Sequence, residues 1–133
     1  MVNYLGDSER FLLGYSGRGH LGHYSGIVSK IFQFAIETGM RLGEILSLQF
    51  QNVNLKAKTA FLPMTKNGHP RTVPLSAKAI TLIGEVRKEG RVFEIEQDYF
   101  QKIFRQTKID LGIKNLHFHD TRHEAITRIA KKL

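Results

Sequence analysis

Apolar side chains at Ile27, Val28, Ile31, Phe32, Ala35 and Ile36 recur at three- and four-residue intervals, the spacing that lines one face of an α-helix. Thr38-Gly39 breaks the pattern. Leu42, Ile45 and Leu46 then predict a second helix ending near Phe50. Upstream, Gly14 to Gly26 holds five glycines in GYSGRGHLGHYSG and reads as a loop. Before it, Ser8 is placed to cap a short helix carrying Phe11, Leu12 and Leu13. Beyond Phe50 the helical period gives way to short runs that predict strands, at Leu55 to Lys58, Thr59 to Met64 and Arg71 to Pro74. The last two flank Lys66-Asn67-Gly68-His69, whose Asn-Gly pair is a hairpin signal. Ser76 suits the N-cap of a helix through Ile80, Leu82, Ile83 and Val86, with Gly90 as its stop. Phe100, Ile103 and Phe104 predict a helix over about Gln97 to Leu111, on whose packed face Tyr99 falls beside Ile103. A last helix opens at Asp120 or Thr121. There Thr121-x-x-Glu124 has the form of a capping box, and Ile126, Ile129 and Ala130 supply an apolar stripe. The expected fold class is α+β, mostly helical, with one small antiparallel sheet of about three strands.

The 133 residues suffice for a single domain with a real core, and 41% of them are hydrophobic. No apolar run approaches the ~20 residues that span a membrane. The first residues have no basic segment followed by an apolar one, so a cytoplasmic address is expected. With no Cys there is no disulfide and no thiol nucleophile. Charge changes the picture more. Twenty Lys and Arg against twelve Asp and Glu give a net +8, divided as +3 over residues 1–66 and +5 over residues 67–133. A folded domain with its excess so spread suits a polyanion, above all nucleic acid.

Three constellations bear on chemistry. Gly17-Arg18-Gly19-His20-Leu21-Gly22 is a literal G-x-G-x-x-G, but no strand precedes it and no parallel-strand pattern follows, so a dinucleotide site is not expected. His117, His119 and His123 cluster, and the last two have an i, i+4 spacing. Zinc proteases place Glu immediately after the first His of such a pair; here that place is Asp120, and Arg122 inside the motif repels a dication. The third constellation is the pair Arg41 and Arg122. Each falls at the start of a predicted helix, the end where a cation is disfavoured by the backbone dipoles. Two such arginines in a basic domain suggest a clamp on one phosphate, since guanidinium matches phosphate oxygens in pairs. The plainer alternative pairs each with a carboxylate, Arg41 with Glu44 for instance.

Ala35-Ile-Glu-Thr-Gly-Met-Arg41-Leu-Gly-Glu44-Ile-Leu-Ser-Leu followed by Val53-Asn-Leu resembles the first box of the tyrosine recombinases, or phage integrases. Thr65-Lys66-Asn-Gly-His-Pro-Arg-Thr-Val-Pro-Leu75 resembles their lysine-bearing hairpin, and His117-Phe-His119-Asp-Thr-Arg122-His123 their second box. The three stand in the family's order and spacing, and the resemblance runs from about Tyr4 to Leu133. It implies a helical catalytic domain that breaks and rejoins double-stranded DNA in site-specific recombination and integration. Arg41 and Arg122 would hold the non-bridging oxygens of the scissile phosphate, His119 would bond the same phosphate and assist proton transfer, and Lys66 would protonate the departing 5′-hydroxyl. Glu44 and His123 would support them. No metal and no nucleotide cofactor are implied; the partners would be duplex DNA and other recombinase protomers, and the setting a bacterial or phage-infected cell.

The sequence departs from that family in ways that shape the expectation. The third box and the nucleophilic tyrosine follow the second box in the family, whereas Tyr4, Tyr15, Tyr24 and Tyr99 all precede it here. The expectation is therefore a partial catalytic domain over residues 1–133, without the N-terminal DNA-clamping domain and without the nucleophile. It keeps the phosphate pocket and is inactive alone. The alternatives are a non-catalytic DNA-binding or regulatory module on the same fold, a type IB topoisomerase with the same pocket, and a metal hydrolase built on the histidines.

Overall fold

The computed structural model describes residues 23–114, 116–122, 125 and 127. Helix α1 (His23–Thr38) is followed by α2 (Leu42–Ser47) and a 3-10 turn at Phe50–Asn52. Strands β1 (Val53–Asn54), β2 (Thr59–Leu62) and β3 (Arg71–Pro74) come next, then α3 (Ala77–Ile83) and α4 (Gln97–Leu111). A last helical segment takes in residues 120–122, 125 and 127. The strands form one antiparallel sheet in the order β1-β2-β3, with Val53 opposite Ala60 and Leu62 opposite Arg71. This is the expected α+β fold, mostly helical.

The core gathers around α1. Val28, Ile31, Phe32 and Ala35 are fully buried, as their helical period requires. Phe32 meets Phe104 of α4 at 5.8 Å between ring centroids, and Phe118 stands edge-on to Phe100 at 5.3 Å. Such tilted and edge-on rings pack the core and add to the area they bury. The sheet contributes its inward residues Ala60, Leu62 and Val73, while Phe61 and Thr72 between them face outward.

Several boundaries differ from expectation. Helix α1 already runs from the first described residue, His23, through Gly26, within the stretch read as loop, because extending a formed helix through one glycine costs only about 1 kcal/mol. Helix α2 stops at Ser47 and not near Phe50. Leu48 turns extended so that its carbonyl accepts from the Val92 N–H at 2.9 Å, and the Phe50 N–H donates to Gly90. Leu55 to Lys58 is a turn, not a strand: the Asn54 side chain accepts from the Ala57 N–H, and Lys58 takes a positive φ of 56°. Strand β2 ends at Leu62, short of Met64, and the β2–β3 connection spans residues 63–70 with its Asn-Gly turn at the tip. Ser76 caps α3 as expected, accepting from the Ala79 N–H at 3.1 Å, but α3 ends at Gly84, where φ is +75°, before Val86. Helix α4 keeps its expected limits, with left-handed Gly112 closing it. Tyr99 is 44% exposed, turned away from the buried side that holds Phe100 and Ile103. Thr121 does not cap the last helical segment. Its hydroxyl donates back to the Phe118 carbonyl at 2.8 Å, and the Asp120 carboxylate instead accepts from the His117 N–H. Expectations for Ser8, for residues 14–22, and for His123, Glu124, Ile126, Ile129 and Ala130 lie outside the described residues.

Candidate functional site

Arg41 is set by the way α1 ends. The Thr38 hydroxyl donates to the Phe34 carbonyl and accepts from the Met40 N–H, while Gly39 adopts φ +72°, which a side chain would resist. Met40 is thereby buried and Arg41 stands extended at the N-cap of α2. One turn on, the Glu44 carboxylate accepts from the Arg41 backbone N–H at 2.9 Å.

Glu44 is only 7% exposed, a costly place for a carboxylate without cationic company. Its ion pair is with Arg71 and not with the Arg41 guanidinium. Arg71 Nη2 donates to Glu44 Oε1 at 3.0 Å. The other oxygen, Oε2, is buried with no hydrogen-bond partner among the described residues.

Arg122 reaches the same place from the far end of the chain. Phe118 enters the aromatic cluster of α1 and α4, Leu116 is fully buried, and Lys108 Nζ donates to the Leu116 carbonyl at 2.7 Å. The next turn is closed by the Arg122 N–H on the His119 carbonyl. One helical turn later Ala125 lies against Gly39: a Cβ on that glycine would stand 3.6 Å from the Ala125 Cβ. The last helical segment thus packs on the turn that presents Arg41. Arg122 Nη1 is buried and has no hydrogen-bond partner among the described residues. Burial, and then the charges of Arg41 and Arg71, push the Arg122 guanidinium below its ordinary pKa, against the pull of Glu44.

Lys66 arrives on the exposed β2–β3 connection, where the Thr65 hydroxyl and carbonyl tie the turn to His69 and Gly68. It lines a cavity of about 300 Å³ together with Arg41, Gly43, Glu44, Ser47 and Met64. Arg41, Lys66, Arg122 and Glu44 are therefore brought into one neighbourhood. His119 is exposed and joins it through its backbone carbonyl; among the described residues its ring makes no hydrogen bond to the other site residues. His123 lies outside the described residues. A larger cavity of about 620 Å³, lined by Arg91, Glu94, Ile95, Glu96 and Tyr99, shares none of these side chains. Among the described residues no three His, Asp or Glu side chains gather as a metal site requires, and no helix is long and apolar enough to cross a membrane.

Comparison with known proteins bears on what such a neighbourhood serves. The model of the phage integrase family matches residues 23–132. The chain belongs to the phage integrase family. Two proteins of Haemophilus influenzae named integrase/recombinase are 48% and 49% identical to it, over 75% and 77% of this chain and 34% and 29% of their own lengths. A shufflon-specific DNA recombinase of Escherichia coli is 46% identical over 74% of this chain and 26% of its own length. The chain spans at most about a third of each of these relatives.

Within this phage integrase chain, Arg71 is the site residue that sequence reasoning passed over. The signal was present. Alternate residues of a strand share a face, so Arg71 lies on the side of Val73, which is buried. An arginine directed inward needs a carboxylate, and Glu44 was already singled out on other grounds.

Proposed function

We propose that this chain is the phosphate-holding part of a tyrosine recombinase catalytic domain and that it acts on the backbone of duplex DNA. The observation that carries the reading is the packing of the Arg122 segment on the turn that presents Arg41, which sets the two guanidinium groups close enough to repel each other. Such an arrangement costs stability on its own and gains when an anion arrives. Family membership and the names of the relatives support DNA as the source of that anion.

In this reading Arg41 and Arg122 grip the non-bridging oxygens of the scissile phosphate and offset the charge that builds in its pentacoordinate transition state. A tyrosine oxygen attacks phosphorus, the bond to the 5′-oxygen breaks, and Lys66 delivers a proton to that leaving oxygen. The product is a 3′-phosphotyrosine and a free 5′-hydroxyl, whose reversal reseals a strand. His119 assists from the segment before Arg122, and Glu44, with His123, props the set. In the family the nucleophilic tyrosine follows the second box; Tyr4, Tyr15, Tyr24 and Tyr99 all precede that box here, and Tyr99 borders the other cavity, so none of them is assigned that role. Other protomers of the recombinase are the expected protein partners, and residues 1–133 are read as part of one catalytic domain.

Two measurements test this. Anisotropy of a labelled duplex should report salt-dependent binding by the chain, weakened by Arg41→Ala. The chain extended through a downstream tyrosine should form a covalent adduct on a nicked suicide duplex, and Arg122→Ala should abolish it. A folded, extended protein that binds DNA but never forms the adduct supports a non-catalytic DNA-binding module instead.

A further inference from the structure

Glu44 acts electrostatically on Arg122 but hydrogen-bonds the guanidinium of Arg71. Its Oε1 is held by Arg71 Nη2 and by the Arg41 N–H, while its Oε2 and the neighbouring Arg122 Nη1 are both buried and lack hydrogen-bond partners among the described residues. A buried carboxylate oxygen and a buried guanidinium nitrogen that both lack partners among the described residues gain from turning toward each other. Arg71 opposes that turn, because it holds the carboxylate at 3.0 Å from the hairpin side. It does so from β3, where it pairs with Leu62 at the base of the connection that carries Lys66.

We propose that Arg71 is a positioning residue that keeps Glu44 from neutralising Arg122, and so keeps the Arg122 guanidinium available to a tetrahedral anion. Arg71 acts through the carboxylate and does not touch the anion itself. The inference rests on the phosphate reading of the site. It adds a residue outside the expected set and assigns Glu44 a second face: the carboxylate that steadies the site also quenches it once released.

Sulfate titrations of the chain, followed through the guanidinium NMR signals of Arg41 and Arg122, test the proposal. Wild-type chain should take up sulfate saturably. Arg71→Ala should weaken the affinity about tenfold and, with no sulfate present, shift and sharpen the Arg122 signal as it pairs with Glu44. Glu44→Gln added to Arg71→Ala should restore affinity to within about threefold of wild type, because the amide has no charge with which to quench. Arg71→Lys should lie between the two, since an ammonium holds one oxygen without the planar fork. Equal affinity in wild type and Arg71→Ala overturns the proposal and leaves the phosphate reading standing. A double variant as weak as Arg71→Ala also overturns it, since Arg71 would then serve as an anion ligand or a simple brace. Failure of the wild-type chain to take up sulfate overturns the phosphate reading, and an Arg122 signal unmoved by Arg71→Ala overturns the control of Glu44 by Arg71.

Discussion

Arg122 is where stability and the proposed anion grip pull against each other. Among the described residues its buried Nη1 has no hydrogen-bond partner, and the charges of Arg41 and Arg71 oppose its own, so replacing the guanidinium should relieve a cost. Arg122→Met should raise unfolding stability by about 1 kcal/mol while abolishing sulfate uptake, a pairing that chemical denaturation and titration would reveal together. Lys108 is the other perturbed cation. Burial first, then Arg105, lowers its pKa, with Asp120 opposing. The folded chain therefore releases that proton at lower pH than the unfolded chain does. Between the folded value and lysine's ordinary value the unfolded state binds more protons, so stability from this group rises with pH across that window. Denaturation series should show the margin of wild type over Lys108→Met widening as pH climbs through it. At neutral pH the variant should already be weaker by about 1 kcal/mol, because the Leu116 carbonyl loses its donor.

At the scale of elements, the joint that matters is the turn between α1 and α2. Gly39→Ala meets Ala125 at ordinary contact distance, so space is not the obstacle; the φ of +72° is. The substitution should cost about 1 kcal/mol and weaken anion uptake, because relaxing the turn moves Arg41 relative to the segment bearing Arg122. Thermal melts alongside sulfate titration would separate the two effects. This turn was legible in the sequence as Thr38-Gly39 between two apolar periods, and α4 was legible because its stripe is long and Gly112 closes it. The ends of α2 and α3 were not. Leu48 and Phe50 leave the helix to pair with residues 90–92, a contact that local pattern cannot announce, and Gly84 stopped α3 before the more distant Gly90 could. Thr121 misled for a similar reason. A threonine followed three residues later by a glutamate has the form of a cap, yet burial turned its hydroxyl back onto Phe118.

For the molecule as a whole, the net +8 charge, carried by both halves of the chain, predicts long-range attraction to duplex DNA with little sequence preference. Binding should weaken steeply with salt, and Arg41→Ala should reduce the log–log salt slope by about 0.9, the share of one phosphate contact. Titrations at several salt concentrations check this directly. The sequence revealed Arg41, Lys66 and Arg122 as candidates through their motifs. Arg71 was legible only in part: its strand alternates onto the face of buried Val73, but nothing local to β3 names Glu44, 27 positions away, as its partner.

The packing of Ala125 on Gly39 joins positions 86 residues apart in the chain. A chain in which that contact has not yet formed lacks what sets the Arg122 segment against the turn bearing Arg41, so under the reading proposed above anion uptake should appear only late in folding, with the long-range contact itself.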